Sequence, residues 1–360
     1  MPAPEPSLPK RSRLKDILLW SFSIILAVVL VYYFAHNADW KEVWKEIRNA
    51  DYTWVFLAAC GEVAFILFRV LRWKIILLPL ETGGKKISYW SLLRAQVVSF
   101  ALSGVAPAKL GEVARPIFLS RWEGIPLTTS VASIALERGL DLIAIIVLWF
   151  VFLLTGTGEI SADSKPYMDA LNAISLTIFI MGVVSITALL WFAKKRKDIK
   201  KMADGSSFLG RSPLLKKLVH HFFVFAEGLQ SFQKKRMIAL LILVSVVAWG
   251  CIGFTCYAAP KAVRIDLPAS SSLLILTLVC IGASLPTPGG VGGVHKAIHI
   301  ALVVFYGLSE DNAVSAAILG HAVMFLPCVL WGGLYLVTGR IHFREVSFKK
   351  EDDTGASAEG

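Results

Sequence analysis

The sequence predicts an all-α polytopic membrane protein of about six full spans plus two broken, re-entrant helical hairpins, in an order that suggests an inverted repeat. Three observations predict it. Hydrophobic residues make up 56% of the 360-residue chain and mean hydropathy is +0.64, well above the apolar share of an ordinary soluble domain. Runs long enough to cross a hydrocarbon core of about 30 Å recur from end to end. Two further apolar regions are interrupted by proline and glycine, which membrane-embedded backbone tolerates only where protein or a water-filled cavity covers it.

The uninterrupted runs are Ile17–Phe34, Trp54–Leu80, Leu127–Thr155, Leu171–Ala193, Met237–Ala259 and Ala313–Thr338. The first follows a basic start, MPAPEPSLPKRSRLKD, but no small-residue cleavage site comes after it. It is therefore expected to be an uncleaved span. Between Arg94 and Lys109 lie fourteen uncharged residues, a helix of about 21 Å and too short to cross. The second interrupted region joins Ser270–Leu285 to Val291–Phe305 through PTPGG.

Charge asymmetry orients these elements. The segment Lys194–Arg236 holds twelve Lys/Arg against three Asp/Glu, whereas Asp39–Asp51 holds three against four. The basic N-terminus, Lys85, Lys86, the 194–236 loop and Arg340–Lys350 belong on the cytoplasmic side, and the acidic-leaning loops outside. This closes only if each broken region crosses an even number of times, the first hairpin entering from the cytoplasm and the second from outside. Two units of span, hairpin and span then repeat about 180 residues apart in opposite senses, the plan of many transporters. Trp40, Val43, Trp44 and Ile47 share one helix face, read as an interfacial helix or a packed linker. The domain organisation is a cytoplasmic segment 1–13, a transmembrane domain 14–340 containing the basic loop 194–236, and a polar tail 341–360.

The informative residues are charges that hydropathy places in the bilayer, where each costs roughly 2.5–3.5 kcal/mol on insertion scales. Trp54–Leu80 carries Glu62, Arg69 and Arg72; Arg72 is expected to snorkel to the cytoplasmic face. Leu127–Thr155 carries Glu137, Arg138 and Asp141, with Arg138 in reach of Asp141 at i+3. Just past the first break, Lys109, Glu112 and Arg115 alternate in sign on one face. Two readings stand open. One is a salt-bridge network that holds the hairpin. The other is a cationic site for a phosphate or carboxylate headgroup, built from Lys109, Arg115 and Arg138 and tuned by Glu112, Glu137 and Asp141.

His295 and His299 stand at i and i+4, and His321 lies far along the chain. Without a third ligand in register they read as hydrogen-bonding groups lining a polar cavity rather than as a metal site. The glycines of PGGVGG could converge backbone N–H groups on an anion, but they match neither nucleotide-binding fingerprint. The five cysteines, Cys60, Cys251, Cys256, Cys280 and Cys328, have no metal-ligand spacing and read as small buried hydrophobes.

APAKLGEVAR, ERGLD, the Arg72–Trp73 pair and LPTPGGVGG, in this order, resemble the lysylphosphatidylglycerol synthase/flippase transmembrane-domain family over about Leu14 to Arg340. The resemblance implies a re-entrant-helix membrane protein that moves a polar lipid between leaflets. Its motifs fall on Pro107, Gly111, Glu112 and Arg115; on Glu137, Arg138 and Asp141; and on Pro286, Pro288, Gly289, Gly290 and Gly292. Members commonly carry Glu where this chain has His295, and often Asn near Ser103–Gly104. Archetypal members carry a separate soluble synthase domain, for which the twenty residues after Arg340 leave no room.

The expected function is therefore a stand-alone flippase or lipid transporter, not an enzyme, of a bacterial-type inner membrane, with both termini cytoplasmic. Substrate-binding candidates are Pro107, Lys109, Gly111, Glu112, Arg115, Glu137, Arg138, Asp141, Pro288, Gly289, Gly290, Gly292 and His295. No cofactor, metal or nucleic-acid partner is expected. The expected partners are membrane lipids, with a homo-oligomer or lipid-biosynthetic partners left open. Movement would be passive, or driven by a proton or the membrane potential through Glu62, Glu112, Glu137, Asp141 or His295. The alternatives are an intramembrane transferase on a lipid-linked substrate and an accessory subunit of a lipid-biosynthetic complex.

Overall fold

The structure is a computed structural model that describes residues 13–78, 86–105, 110–155, 160–161, 164–177, 180 and 235–338. The described residues form helices and the short turns that join them. In chain order the helices are α1 (Arg13–Ala35), α2 (Trp40–Arg48), α3 (Tyr52–Leu77), α4 (Tyr89–Val105), α5 (Leu110–Glu123) and α6 (Leu127–Thr155). There follow α7 (165–177), α8 (Lys235–Ala262), α9 (Ser271–Ser284), α10 (Gly293–Ile300) and α11 (Glu310–Val337). Pro107 and Lys109, most of the Leu171–Ala193 span, the loop 194–234 and both chain ends lie outside the described residues.

Length and composition qualify α3, α6, α8 and α11 as full spans, and the 18-residue stretch Pro288–Phe305 as a fifth candidate. A sixth is reached if α1 and α2 count as one bent span. The 89° turn between them lays α2 across the axis of α1. On the apolar face of α2, Val43 is buried against the protein while Trp40 and Trp44 beside it stay exposed, the pattern of an interfacial helix. Asp39 caps α2 by accepting from the Lys41 N–H, and the Asp39 N–H donates to Asp311 at the start of α11.

Both breaks are hairpins closed by glycine. A Cβ on Gly111 would overlap the Ser99 carbonyl, so α5 folds back directly on the α4 backbone, where the Ser99 hydroxyl donates to the Gly111 carbonyl at 2.6 Å. In the second hairpin Gly282 of α9 and Gly293 of α10 meet backbone to backbone. Between them Pro288–Gly290 forms one 3-10 turn, and α10 runs on through a wider π-turn, Ala301–Phe305.

The two units pair reciprocally. Asp51 N–H donates to the Ala262 carbonyl, and the Thr255 hydroxyl to the Ala58 carbonyl, so the start of α3 lies on the end of α8. Antiparallel packing of these first spans is what two units of opposite sense require. The hairpin helix α4 packs along α11, where Gly332 sits on the Val97 backbone. Its counterpart α9 packs along α6. The buried core lies along these seams, and large apolar side chains on α1, α6, α8 and α11 remain exposed on the outside, as lipid contact demands.

Asp51 also caps α3 through its side chain, accepting from the Thr53 N–H at 2.9 Å. Asp51→Ala is expected to cost about 1 kcal/mol, read as a lowered midpoint of thermal unfolding in detergent micelles.

Candidate functional site

Four arginines converge on two carboxylates where α3, α5 and α6 meet. Glu137 and Asp141 stand one turn apart on α6, and Arg69 and Arg72 stand one turn apart on α3, so the two pairs interlock face to face. Arg69 Nη2 lies 3.0 Å from Glu137 Oε1 and 3.7 Å from Asp141 Oδ2. Arg72 Nη2 donates to Asp141 Oδ1 at 2.5 Å and lies 3.6 Å from Glu137. From the first hairpin, Arg115 Nη2 donates to Glu137 Oε2 at 2.6 Å. Arg138 completes the set with longer contacts, 3.5 Å to Asp141 and 3.7 Å to Glu137.

The cluster is deep as well as crowded. Arg69 stands eight residues before the end of α3, about 12 Å along the helix. Glu137, Asp141, Arg69, Arg72 and Arg115 are all buried, whereas the Arg138 side chain is 41% exposed. Burial on this scale is tolerable because each carboxylate is bonded and each guanidinium has a counter-ion. Trp73 fixes the geometry from behind. Its ring lies under the Arg115 guanidinium, 3.8 Å from the centroid, and its indole N–H donates to the Ser133 hydroxyl. Within ion-pair distance the balance leaves four guanidiniums against two carboxylates, with Glu112 of α5 as a third, more distant negative charge acting on Arg69. The Nε atoms of Arg69, Arg72, Arg115 and Arg138 are buried without a hydrogen-bond partner among the described residues. Each is a donor that an oxyanion could fill.

The structure thus brings together Arg115, Glu137, Arg138 and Asp141. Glu112, half-buried, lies on α5 one turn before Arg115, and Arg115 turns to Glu137 instead of closing an i, i+3 pair with it. Gly111 builds the hairpin contact. Pro107 and Lys109 lie outside the described residues. Arg72 does not snorkel: it is buried and bonded to Asp141, because a counter-ion on α6 offers more than the distant interface. The cysteines also divide differently from expectation. Cys256 and Cys328 are buried, Cys251 and Cys280 are half-buried, and Cys60 is exposed, since the outer faces of these spans meet lipid. Cys328 on α11 donates its thiol to buried Glu62 at 3.5 Å.

Pro288, Gly289, Gly290, Gly292 and His295 form a second polar centre at the other hairpin. Gly289, Gly290 and Gly292 all have positive φ, +60°, +70° and +80°. Side chains are excluded at two of them twice over, since a Cβ on Gly289 would strike the Phe325 ring and one on Gly292 would strike Leu30 of α1. The N–H groups of Gly290, Val291 and Gly292 bond within the break, to Thr287 O, Pro288 O and His295 Nδ1. His321 closes on His295, with ring centroids 4.3 Å apart. Sequence reasoning missed Arg69 and Arg72 as partners of α6, and His321 as a partner of His295. The i, i+3 spacing of the arginines facing the i, i+4 carboxylates was the available signal for the first.

The family model described as the lysylphosphatidylglycerol synthase TM region matches residues 20–332. The inner membrane protein YbhN of Escherichia coli is 24% identical over 327 residues, covering 90% of this chain and 92% of its own. The UPF0104 membrane protein MJ1078 of Methanocaldococcus jannaschii is 23% identical over 244 residues, 67% of this chain and 95% of its own. The glycosyltransferase AglD of Haloferax volcanii is 25% identical over 347 residues, which take in 90% of this chain and 54% of that protein.

Proposed function

Because the chain belongs to the lysylphosphatidylglycerol synthase TM region family, and is a multi-pass membrane protein whose buried charges carry an excess of arginine, we propose that it moves an anionic, phosphate-bearing lipid between leaflets. The observation that carries this reading is the unequal arginine–carboxylate cluster, three of its guanidiniums buried and the fourth, Arg138, half-open. A network built for stability alone would pair its charges one to one, since each uncompensated buried charge costs several kcal/mol. An arriving phosphate supplies the missing negative charge.

In this mechanism Arg138 meets the headgroup first, because it is the half-exposed member of the cluster and, unlike the other three arginines, has no contact to either carboxylate shorter than 3.5 Å. As the cluster opens around Arg138, the phosphate oxygens take hydrogen bonds from the unpartnered Nε–H groups, and guanidinium geometry suits that planar, two-point contact. The acyl chains stay in lipid beside the half-open edge while the headgroup is held between α3, α5 and α6. The sidedness of the charges in the sequence supports a cluster toward the cytoplasmic leaflet of an inner membrane, with the termini on that side.

A second reading has one specific support, the match to a protein named a glycosyltransferase. In it the same cluster holds the phosphate of a lipid-linked substrate during group transfer. A single assay separates the two: purified protein in liposomes containing a fluorescent phosphatidylglycerol, followed by chemical quenching of the outer leaflet and mass spectrometry of the lipid. Transport predicts leaflet exchange with unchanged lipid mass, and Arg138→Gln slows it about tenfold, the equivalent of one charge-assisted hydrogen bond. An unchanged rate in Arg138→Gln, or equal movement of an uncharged lipid, would contradict the reading.

A further inference from the structure

The tip of the second hairpin is held at both ends by histidine. His321 Nε2 lies 2.9 Å from the Gly289 carbonyl oxygen, so that nitrogen carries hydrogen and donates. His295 Nδ1 accepts from the Gly292 N–H in a long bond of 3.4 Å, so that nitrogen must be bare. The first bond survives protonation of its ring; the second does not. The two rings pack against each other at a tilt of 34°, and His321 stacks on Phe325 at 5.2 Å. Phe325 in turn fills a notch between the two hairpins: its ring is what a Cβ would strike both at Gly104 of α4 and at Gly289. It stands fifteen residues into α11, about 22 Å along the helix and near its middle.

A polar route leads to this clamp from the face that carries α2. Glu310, at the start of α11 and partly exposed, bonds His299 Nε2 at 2.5 Å. His299 Nδ1 accepts from Lys296, whose ammonium also donates to the Tyr33 carbonyl. One helical turn further in stands His295, and both histidines pack edge-on against Phe34. Among the described residues the titratable groups around the clamp are Lys296 and His299 on its own helix, His321 and Glu310 on α11, Tyr33 on α1 and His36 just past its end. Next to the tip α4 presents Gly104.

We propose that the second hairpin is a proton-binding site, with Glu310 and His299 as its entry, His295 Nδ1 as the group that takes the proton, and Phe325 as the gate it releases. A proton on Nδ1 forms a new N–H where the Gly292 N–H already points, so the bond that holds the tip is replaced by two opposed donors. The ring also becomes a cation against His321, the residue that holds Gly289 and supports Phe325. The closed tip therefore requires neutral His295: it is stable above the histidine titration and is lost as pH falls through it. This makes the driving force a proton gradient, and that use of the opening, though not the opening itself, rests on the transport reading.

Hydrogen–deuterium exchange of the full chain in lipid nanodiscs tests the clamp without any transport. Between about pH 8 and about pH 5, after correction for the intrinsic pH dependence of exchange, residues 286–294 are expected to open about tenfold more per pH unit across the titration. His295→Gln keeps an oxygen for the Gly292 N–H and gains no proton, so its profile is expected to be flat. A flat wild type overturns the proposal, as does a His295→Gln profile as steep as wild type. If His295→Gln does not fold, the wild-type titration still decides, with Phe325→Leu loosening the tip at all pH values as the second variant. Leaflet exchange measured on the same preparation separates the two claims. Acid opening without lipid movement leaves the clamp standing and removes the transport reading. Lipid movement that ignores pH, with a tip that stays closed, does the reverse.

Discussion

Glu137→Gln is expected to cost about 3–5 kcal/mol of stability, the largest effect expected of any single substitution in this chain. Glu137 holds Arg115 at 2.6 Å and Arg69 at 3.0 Å, and the amide keeps its shape while removing its charge. Three buried guanidiniums would then share Asp141 alone. The loss is read as a collapse of the thermal midpoint in detergent, or as loss of folded protein from the membrane fraction. A second result distinguishes charge from packing. Glu137→Asp, which shortens the side chain but keeps the charge, should retain much more stability than Glu137→Gln. If the two variants unfold alike, the cluster is held by shape and not by charge.

Gly282→Ala is expected to give a further loss, up to about 2 kcal/mol net. Two effects oppose each other. Alanine favours helix over glycine by about 0.8–1 kcal/mol. Against that, the added Cβ would overlap the Gly293 carbonyl and crowd Ala297, and overpacking of this kind costs about 1–3 kcal/mol. Because the obstacle is backbone, no side-chain rotation relieves it, and α9 and α10 must separate. The same change at Gly333, where nothing lies within reach of a Cβ, should stabilise or do nothing. Thermal unfolding of the two variants side by side checks the argument, and equal shifts would refute the close approach.

Much of this architecture is legible in the sequence, for reasons that can be stated. Span length is a hydropathy property, so α3, α6, α8 and α11 agree with the apolar runs to within a few residues. The breaks are written in Gly111 and PTPGG because backbone that departs from a helix or packs on another backbone needs those residue types. Intramembrane charges are costly enough that Arg115, Glu137, Arg138 and Asp141 stand out from hydropathy alone. Rotational setting is not legible in that way. Whether Arg72 points to the interface or to Asp141 depends on how α3 is turned against α6, and no local pattern in α3 encodes that. Phe325 is hidden for the same reason: its importance comes from two glycines, Gly104 and Gly289, that lie far from it in sequence. His321 joins His295 only because α11 packs along α10. His295 stands three residues after the N-cap Gly292, the position from which a side chain reaches back to accept from the N-cap N–H.

The excess of buried arginine at the junction of α3, α5 and α6 is the feature on which the functional reading turns. Photo-crosslinking with a phosphatidylglycerol that carries its reactive group on the headgroup tests it most directly, using purified protein in nanodiscs and mass spectrometry of the labelled peptides. Labelling is predicted on segments 111–115 and 137–141, competed by unmodified anionic lipid and lost in Arg138→Gln. Labelling confined to the outer surfaces of α1 or α8, and unchanged in Arg138→Gln, would contradict a headgroup site in the arginine cluster.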